Sequence, residues 1–123
     1  MLDNLKAMSA LAGLMKSKEA LKGAAERMKQ RLSDLRAAGG SGGGAVRATM
    51  SGDMKLIGLH LDPPVCMALA SNDAQSRQQV QQLIVEAVNN ASDIAKAMAQ
   101  REMAKEAEAL GLGSMPGLEN LLG

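Results

Sequence analysis

An α+β fold is predicted by three observations on this chain of 123 residues. A long helical pattern opens it, a glycine-rich break leads into a short alternating stretch, and a second long helical pattern follows. The break is Gly39-Gly40-Ser41-Gly42-Gly43-Gly44. Such a run weakens helix and strand alike and admits positive φ, so the chain changes structure type there.

The first segment reads as an amphipathic helix from about Leu5 to Ser33. Leu14, Leu21, Met28 and Leu35 recur every seven residues, and Leu11, Ala25 and Leu32 supply the companion series. This is a heptad pattern with Lys18 at one core position. At 1.5 Å per residue the helix is about 43 Å long. That exceeds the width of a small core, so the helix is expected to project or to lie along another long helix.

The segment after the glycines alternates as a β-hairpin does. Val46, Ala48 and Met50 point one way and Arg47, Thr49 and Ser51 the other. Gly52-Asp53 punctuates, and Ile57, Leu59 and Leu61 resume opposite Gly58 and His60. One face of the hairpin is expected to be buried. Pro63 and Pro64 end it, because proline donates no ladder hydrogen bond and restricts the residue before it. Val65 to Ala70 is apolar without a period and fits a loop, a short strand or a helical turn.

From about Ser76 to Leu110 a second helical pattern steps through Val80, Ile84, Ala87, Ala91, Ile94 and Met98. Its many alanines favour helix and permit close approach. Gly111 supplies the stop, and residues 111–123 read as a flexible tail.

Composition is 46% hydrophobic and 22% charged, as in ordinary globular proteins, yet there is no Phe, Tyr or Trp, and Met occurs ten times. Aromatic side chains bury roughly 150–250 Å² each. Without them the core is left to Leu, Ile, Val, Met and Ala, and a second copy of the chain is expected to supply the missing burial. The single cysteine, Cys66, excludes an intrachain disulfide and suits a reducing compartment. No apolar run reaches the ~20 residues of a membrane span. The first residues lack the charged head and apolar body of a secretory signal, so no membrane association is expected and the cytoplasm is the expected location.

The residues that ordinarily carry catalysis are sparse. His60 falls on the hairpin face opposite Leu59 and Leu61, without the second His or the Cys cluster that a metal site requires. Cys66 reads as a small buried hydrophobe, and Asp62 as a strand-end cap or turn former. The glycine run is no phosphate loop: that motif opens a helix with Lys-Ser or Lys-Thr, whereas Ala45-Val46-Arg47 opens a strand. No catalytic residue, metal, cofactor or small-molecule substrate is expected.

Charge is distributed unevenly. Residues 1–38 hold eight basic groups and four acidic ones, and residues 71–123 hold four basic and seven acidic, within a net charge of +1. Lys22 and Lys29 share one flank of the first heptad pattern, and Arg31 lies across the seam. A seven-residue spacing repeats about every 10.5 Å along a helix, which suits contacts to a phosphate backbone. The other reading of these residues is a solvated helix face with pairs such as Lys22 to Glu26. With no aromatic to stack on bases, single-stranded nucleic acid is disfavoured and duplex DNA held by its phosphates is not. No helix-turn-helix or zinc-finger pattern supports reading of sequence.

Gly44-Ala-Val-Arg-Ala-Thr-Met-Ser-Gly52, followed by Leu59-His-Leu-Asp-Pro63, resembles the G-x-V-x-V-x-x-x-G and V-x-I-D-P signature of the YbaB/EbfC family of bacterial nucleoid-associated proteins. Leu83-Ile-Val-Glu-Ala-Val-Asn-Asn-Ala91 is similar to the family's last-helix motif. Two departures stand out. Between Pro63 and Leu83 the chain is several residues longer than the family pattern, and Leu35 to Gly40, where the family places its first strand, is poor strand material.

The resemblance implies an α-β-β-β-α subunit with a small antiparallel sheet and two long helices. Such a subunit would be one domain over residues 1–110, with a helix at about 5–33, the sheet at about 35–62 and a helix at about 76–110. It implies a homodimer joined through the sheet region with helices projecting like tweezers. It also implies non-catalytic binding of duplex DNA in the nucleoid, with low sequence preference. Charge and helix position then nominate Lys16, Lys18, Lys22, Lys29 and Arg31, with Lys96, Arg101 and Lys105, as the DNA-contacting set. The alternative is a homodimeric interaction or structural module whose DNA affinity is incidental.

Overall fold

The structure, a computed structural model, describes residues 2–109; within α1 the side chains of residues 2, 3, 10, 11, 13, 14 and 16 are outside the description. The elements are α1 (Leu2–Asp34), β1 (Arg36–Ser41), β2 (Val46–Ser51), β3 (Leu56–Leu61), α2 (Pro63–Leu69) and α3 (Ala74–Ala109). The strands form one antiparallel sheet in the order β1-β2-β3. The expected α+β class holds, with the short helix α2 added in the stretch that exceeds the family pattern. The expected tail at 111–123 lies outside the described residues.

At 33 and 36 residues, α1 and α3 are about 50 and 54 Å long. The end of α1 is capped by its successor: the Arg36 guanidinium donates to the carbonyls of Ser33 at 2.7 Å and Leu35 at 2.9 Å. These contacts use carbonyl groups that the end of a helix leaves without partners.

β1 is a full strand despite its sequence, pairing with β2 from Arg36↔Ser51 to Ser41↔Val46. The reason is the helix above it. A Cβ built on Gly39 would stand 2.2 Å from the Ala91 nitrogen and 2.7 Å from its Cα, so α3 rests directly on the strand backbone. Glycine and alanine in β1 meet alanine in α3, and this close approach overrides weak strand propensity. Two polar contacts fix the pairing: Asn90 Nδ2 donates to the Gly40 carbonyl at 2.9 Å, and Ser41 Oγ donates to the Leu83 carbonyl. The remaining glycines form the turn into β2, with φ of 60, 67 and 93° at Gly42, Gly43 and Gly44, angles that favour glycine. The glycine run is thus part strand and part hairpin turn.

β2 buries Val46, Ala48 and Met50 as its alternation predicts. Ser51, expected to point outward, is buried: its hydroxyl donates to the Asp53 carboxylate and accepts from the Lys55 amide at 3.2 Å. A register irregularity at Thr49/Met50 sets Leu56, rather than Ile57, opposite Met50. α3 packs on β1 and β2, and Leu56, Ile57 and Leu59 of β3 are left 44–50% exposed. The expectation of one buried hairpin face therefore holds for β2 and not for β3.

The core is thin, as the composition foretells. Ala37, Val46, Ala48, Met50, Val65, Val80, Ala87, Ala91 and Ala95 make it up, and the largest fully buried side chains are Val46 and Ser51. The buried line of α3 runs through Val80, Ala87, Ala91, Ala95 and Ala99, not through Ile94, which is exposed. Ala95 still belongs to the core shared with the sheet, and farther along the helix Glu102 and Glu106 meet α1. On α1, Ala24 is buried and Ala25 exposed, one position from the expected seam.

α2 settles the aperiodic stretch after the prolines. The Asp62 carbonyl accepts from the amides of Val65 at 2.9 Å and Cys66 at 3.2 Å, and the two prolines sit at the helix start, where no amide donor is needed. Only Val65 is buried in α2; Cys66 is exposed, which corrects its reading as a buried hydrophobe. Ala68, three residues on, is partly buried against the same core.

Candidate nucleic-acid interface

Lys18, Lys22 and Lys29 are exposed on α1. At 3.6 residues per turn they fall within about 40° of one another, roughly 120–160° around the helix from buried Ala24. Solvent takes this face because α3 occupies the other. From Lys18 to Lys29 the row is about 17 Å long, which matches about five phosphates of one strand at 3.4 Å each along the DNA axis. Among the described residues, none of the three lysines has a carboxylate within ion-pair distance.

Arg31 stands elsewhere. With Arg27, one turn earlier, it faces α3, which runs antiparallel to α1 here. Glu106 accepts from Arg27 at 3.4 Å and from Arg31. Glu102 lies 3.9 Å from Arg31 and 3.3 Å from Lys105. The glutamates are 15 and 20% exposed, against 63 and 42% for Arg27 and Arg31. The hydrogen bond from Arg31 holds the Glu106 carboxyl below its ordinary value, against the opposing effect of burial. Two of the eight nominated residues, Arg31 and Lys105, are thus engaged by carboxylates of the same chain.

Lys96 and Arg101 are exposed on α3, but about 140° apart around it, so they form no common row. The side chain of Lys16 lies outside the described residues. Arg27, Glu102 and Glu106 escaped the sequence reading. Their signal is an arginine pair and a glutamate pair, each at i, i+4, and the match between them depends on the register of two distant helices.

The rest of the surface offers little chemistry. On the sheet face away from α3, an open hollow of about 420 Å³ is lined by Ala38, Arg47, Thr49, Gly58, Leu59 and His60. The Asp62 carboxylate lies 2.9 Å from His60 Nε2 and 3.8 Å from Arg47. Among the described residues no group of three or more His, Cys, Asp or Glu side chains is arranged to hold a metal ion, and no helix is long and apolar enough to cross a membrane.

Known proteins resemble this chain at both levels. A nucleoid-associated protein of Chlorobium limicola is 41% identical over 80 residues, covering 65% of this chain and 65% of that one. One from Chlorobium chlorochromatii is 35% identical over 99 residues, covering 80% and 82%, and one from Granulibacter bethesdensis is 33% identical over 105 residues, covering 85% and 92%. The crystal structure of an uncharacterized protein from Helicobacter pylori has a similar fold, with a TM-score of 0.59 at 18% identity over 77% of this chain and 90% of that one. Residues 8–110 match the YbaB/EbfC DNA-binding family. With the signature residues of β2, β3 and α3 in their structural places, this chain belongs to the YbaB/EbfC DNA-binding family, which is not a family of enzymes.

Proposed function

We propose that this protein binds duplex DNA in the bacterial nucleoid, in the cytoplasm, as a homodimer, without catalysis and with low sequence preference. The observation that carries this reading is the row of Lys18, Lys22 and Lys29 on the solvent face of α1, without carboxylate partners among the described residues. Phosphate contacts from such a row hold DNA without reading bases. Lys16, Lys96 and Arg101 are proposed as secondary contacts. Family membership and the names of the relatives support DNA in the nucleoid as the target.

The dimer is supported by β3. It is an edge strand with one paired neighbour, and its exposed Leu56, Ile57 and Leu59 form the kind of apolar edge that pairs with another chain. A second reading, an interaction module with incidental DNA affinity, is favoured by the exposure of Leu5, Met8, Met15 and Leu21 on α1.

Titration of an unspecific duplex at about 50 and 200 mM salt tests the first reading. Six or more phosphate contacts across two arms predict an affinity loss on the order of 10³ between those salts. Affinity indifferent to salt, or no binding at the lower salt, refutes phosphate binding and leaves the interaction module.

A further inference from the structure

Among the described residues α1 outruns α3. Arg27 sits beside Glu106 and Arg31 beside Glu102, so in this antiparallel register Ala109, the last residue of α3 described, comes level with Ala24. At 1.5 Å per residue Met15 lies about 14 Å beyond that point and Leu5 about 28 Å. Leu5, Met8 and Met15 are 63, 68 and 61% exposed, and Ala12 is exposed with them. Their spacing of three, four and three residues is the a/d seam of a coiled coil. The four fall within about 80° of one another, on the side of α1 turned away from buried Ala24.

We propose that this stretch is a self-association seam: it pairs, antiparallel, with the same stretch of α1 from a neighbouring dimer, so that molecules side by side on DNA bind cooperatively. The inference rests on the reading of α1 as a phosphate-binding arm.

Three observations favour a second copy as the occupant. First, the seam is its own complement. Set antiparallel about residue 10, Leu5 falls opposite Met15 of the second copy and Met8 opposite Ala12, a large side chain facing a small one. Two-fold symmetry repeats both pairs. Second, charge permits it. Between Asn4 and Met15 the described flanking residues are Asn4 and Ser9, and Lys6 stands about 140° around the helix from the seam. Two like arms therefore meet there without opposed cations among the described residues, and a phosphate finds none to contact. Third, the size fits a weak contact. Four residues per copy fall far short of the ~20–30 per side of a stable interface, so the seam forms where copies are concentrated, as on one duplex.

The lysines stay usable. Lys18, Lys22 and Lys29 begin past Met15 and lie about 80° around the helix from the seam, so one arm holds DNA and a second copy at once.

The test compares a short duplex that admits one molecule with a long duplex that admits many, for wild type, Met8→Gln/Met15→Gln and Ala12→Leu. Glutamine keeps the helix propensity of methionine, and circular dichroism checks the helices. Wild type is expected to bind the long duplex about tenfold more tightly per site, as a millimolar effective concentration gives for a contact of about 0.1 mM. Met8→Gln/Met15→Gln should keep the short-duplex affinity and lose that advantage, and Ala12→Leu, which fills the space opposite Met8, should enlarge it. Hydrogen peroxide should oxidise Met8 and Met15 of the free protein as readily as Met67, which is 74% exposed, and the long duplex should protect them.

Loss of short-duplex affinity in Met8→Gln/Met15→Gln puts the methionines on DNA and overturns the proposal. An unchanged long-duplex advantage in that variant overturns it too; Ala12→Leu and the oxidation pattern decide the matter if the glutamine variant fails to fold. Protection of both methionines in the free protein, lifted by truncation after Ala109, assigns the face to residues 110–123 instead. A wild type that binds neither duplex defeats the underlying reading as well, whereas salt-dependent binding of the short duplex without a long-duplex advantage defeats this inference alone and leaves the face to a different protein.

Discussion

Gly39→Ala places one methyl group where α3 rests on β1. The added Cβ would stand 2.2 Å from the Ala91 nitrogen and 2.7 Å from both the Ala91 Cα and the Asn90 carbonyl carbon, all of them backbone atoms. Ordinary contact for such an atom begins near 3.4 Å, so no side-chain rotation relieves the overlap and α3 must lift by roughly 1 Å, the amount by which overpacking exceeds contact. That displacement loosens Ala87, Ala91 and Ala95, all fully buried in the core. Overpacking of this kind costs about 1–3 kcal/mol, and collision with backbone belongs at the upper end. The entropy that alanine removes from the unfolded chain returns about 0.4–1 kcal/mol, leaving a net loss of about 2 kcal/mol. For a chain of this size that lowers Tm by on the order of 10 °C. Urea unfolding at fixed protein concentration measures the loss, with Gly58→Ala, which has nothing within 4 Å of its added Cβ, as the control. Equal stability of the two variants would refute the close packing of α3 on β1.

Two further outcomes follow from the same structure. Leu59→Lys puts a charge on each side of the proposed dimer contact; losing about 2 kcal/mol of burial per copy raises the dimer Kd about a thousandfold, and light scattering at micromolar concentration should then report monomer, with an unchanged dimer mass telling against β3 as the contact. The carboxyls of Asp53 and Glu106 are held below their ordinary values, Asp53 by the Ser51 hydroxyl and Glu106 by Arg31. Folded-state values below the unfolded ones make their stabilisation complete above the ordinary carboxylate range and lost as pH falls through the folded values. Urea midpoints should therefore be flat from pH 7 to 5 and fall toward pH 3, with a smaller fall in Glu106→Gln; a midpoint that rises on acidification contradicts the assignment.

Much of this architecture was legible in the sequence, because period and punctuation report local geometry. The helices, the β2 alternation and the proline stop are of that kind. β1 was legible only through the family resemblance, not from its own residues: its glycines and alanines make sense once Ala91 is known to lie against Gly39. The α3 seam runs through Ala95 rather than Ile94 because a straight helix repeats every 3.6 residues and drifts from a 3.5-residue heptad along its length. The row of Lys18, Lys22 and Lys29 follows from helical spacing alone. The engagement of Arg31 does not, since it depends on the glutamates that another helix brings to it, whereas Lys105 pairs with Glu102 three residues earlier on its own helix, a spacing the sequence already showed.

The central claim, that the lysine row on α1 holds DNA by its phosphates, is tested most directly by the salt dependence of duplex affinity. The comparison is between wild type and the triple variant Lys18→Gln, Lys22→Gln, Lys29→Gln, on two duplexes of unrelated sequence. The account predicts a shallower log-log slope in the variant by about 2.7 per arm, with the same reduction on both duplexes. An unchanged slope, or a loss confined to one duplex, contradicts it.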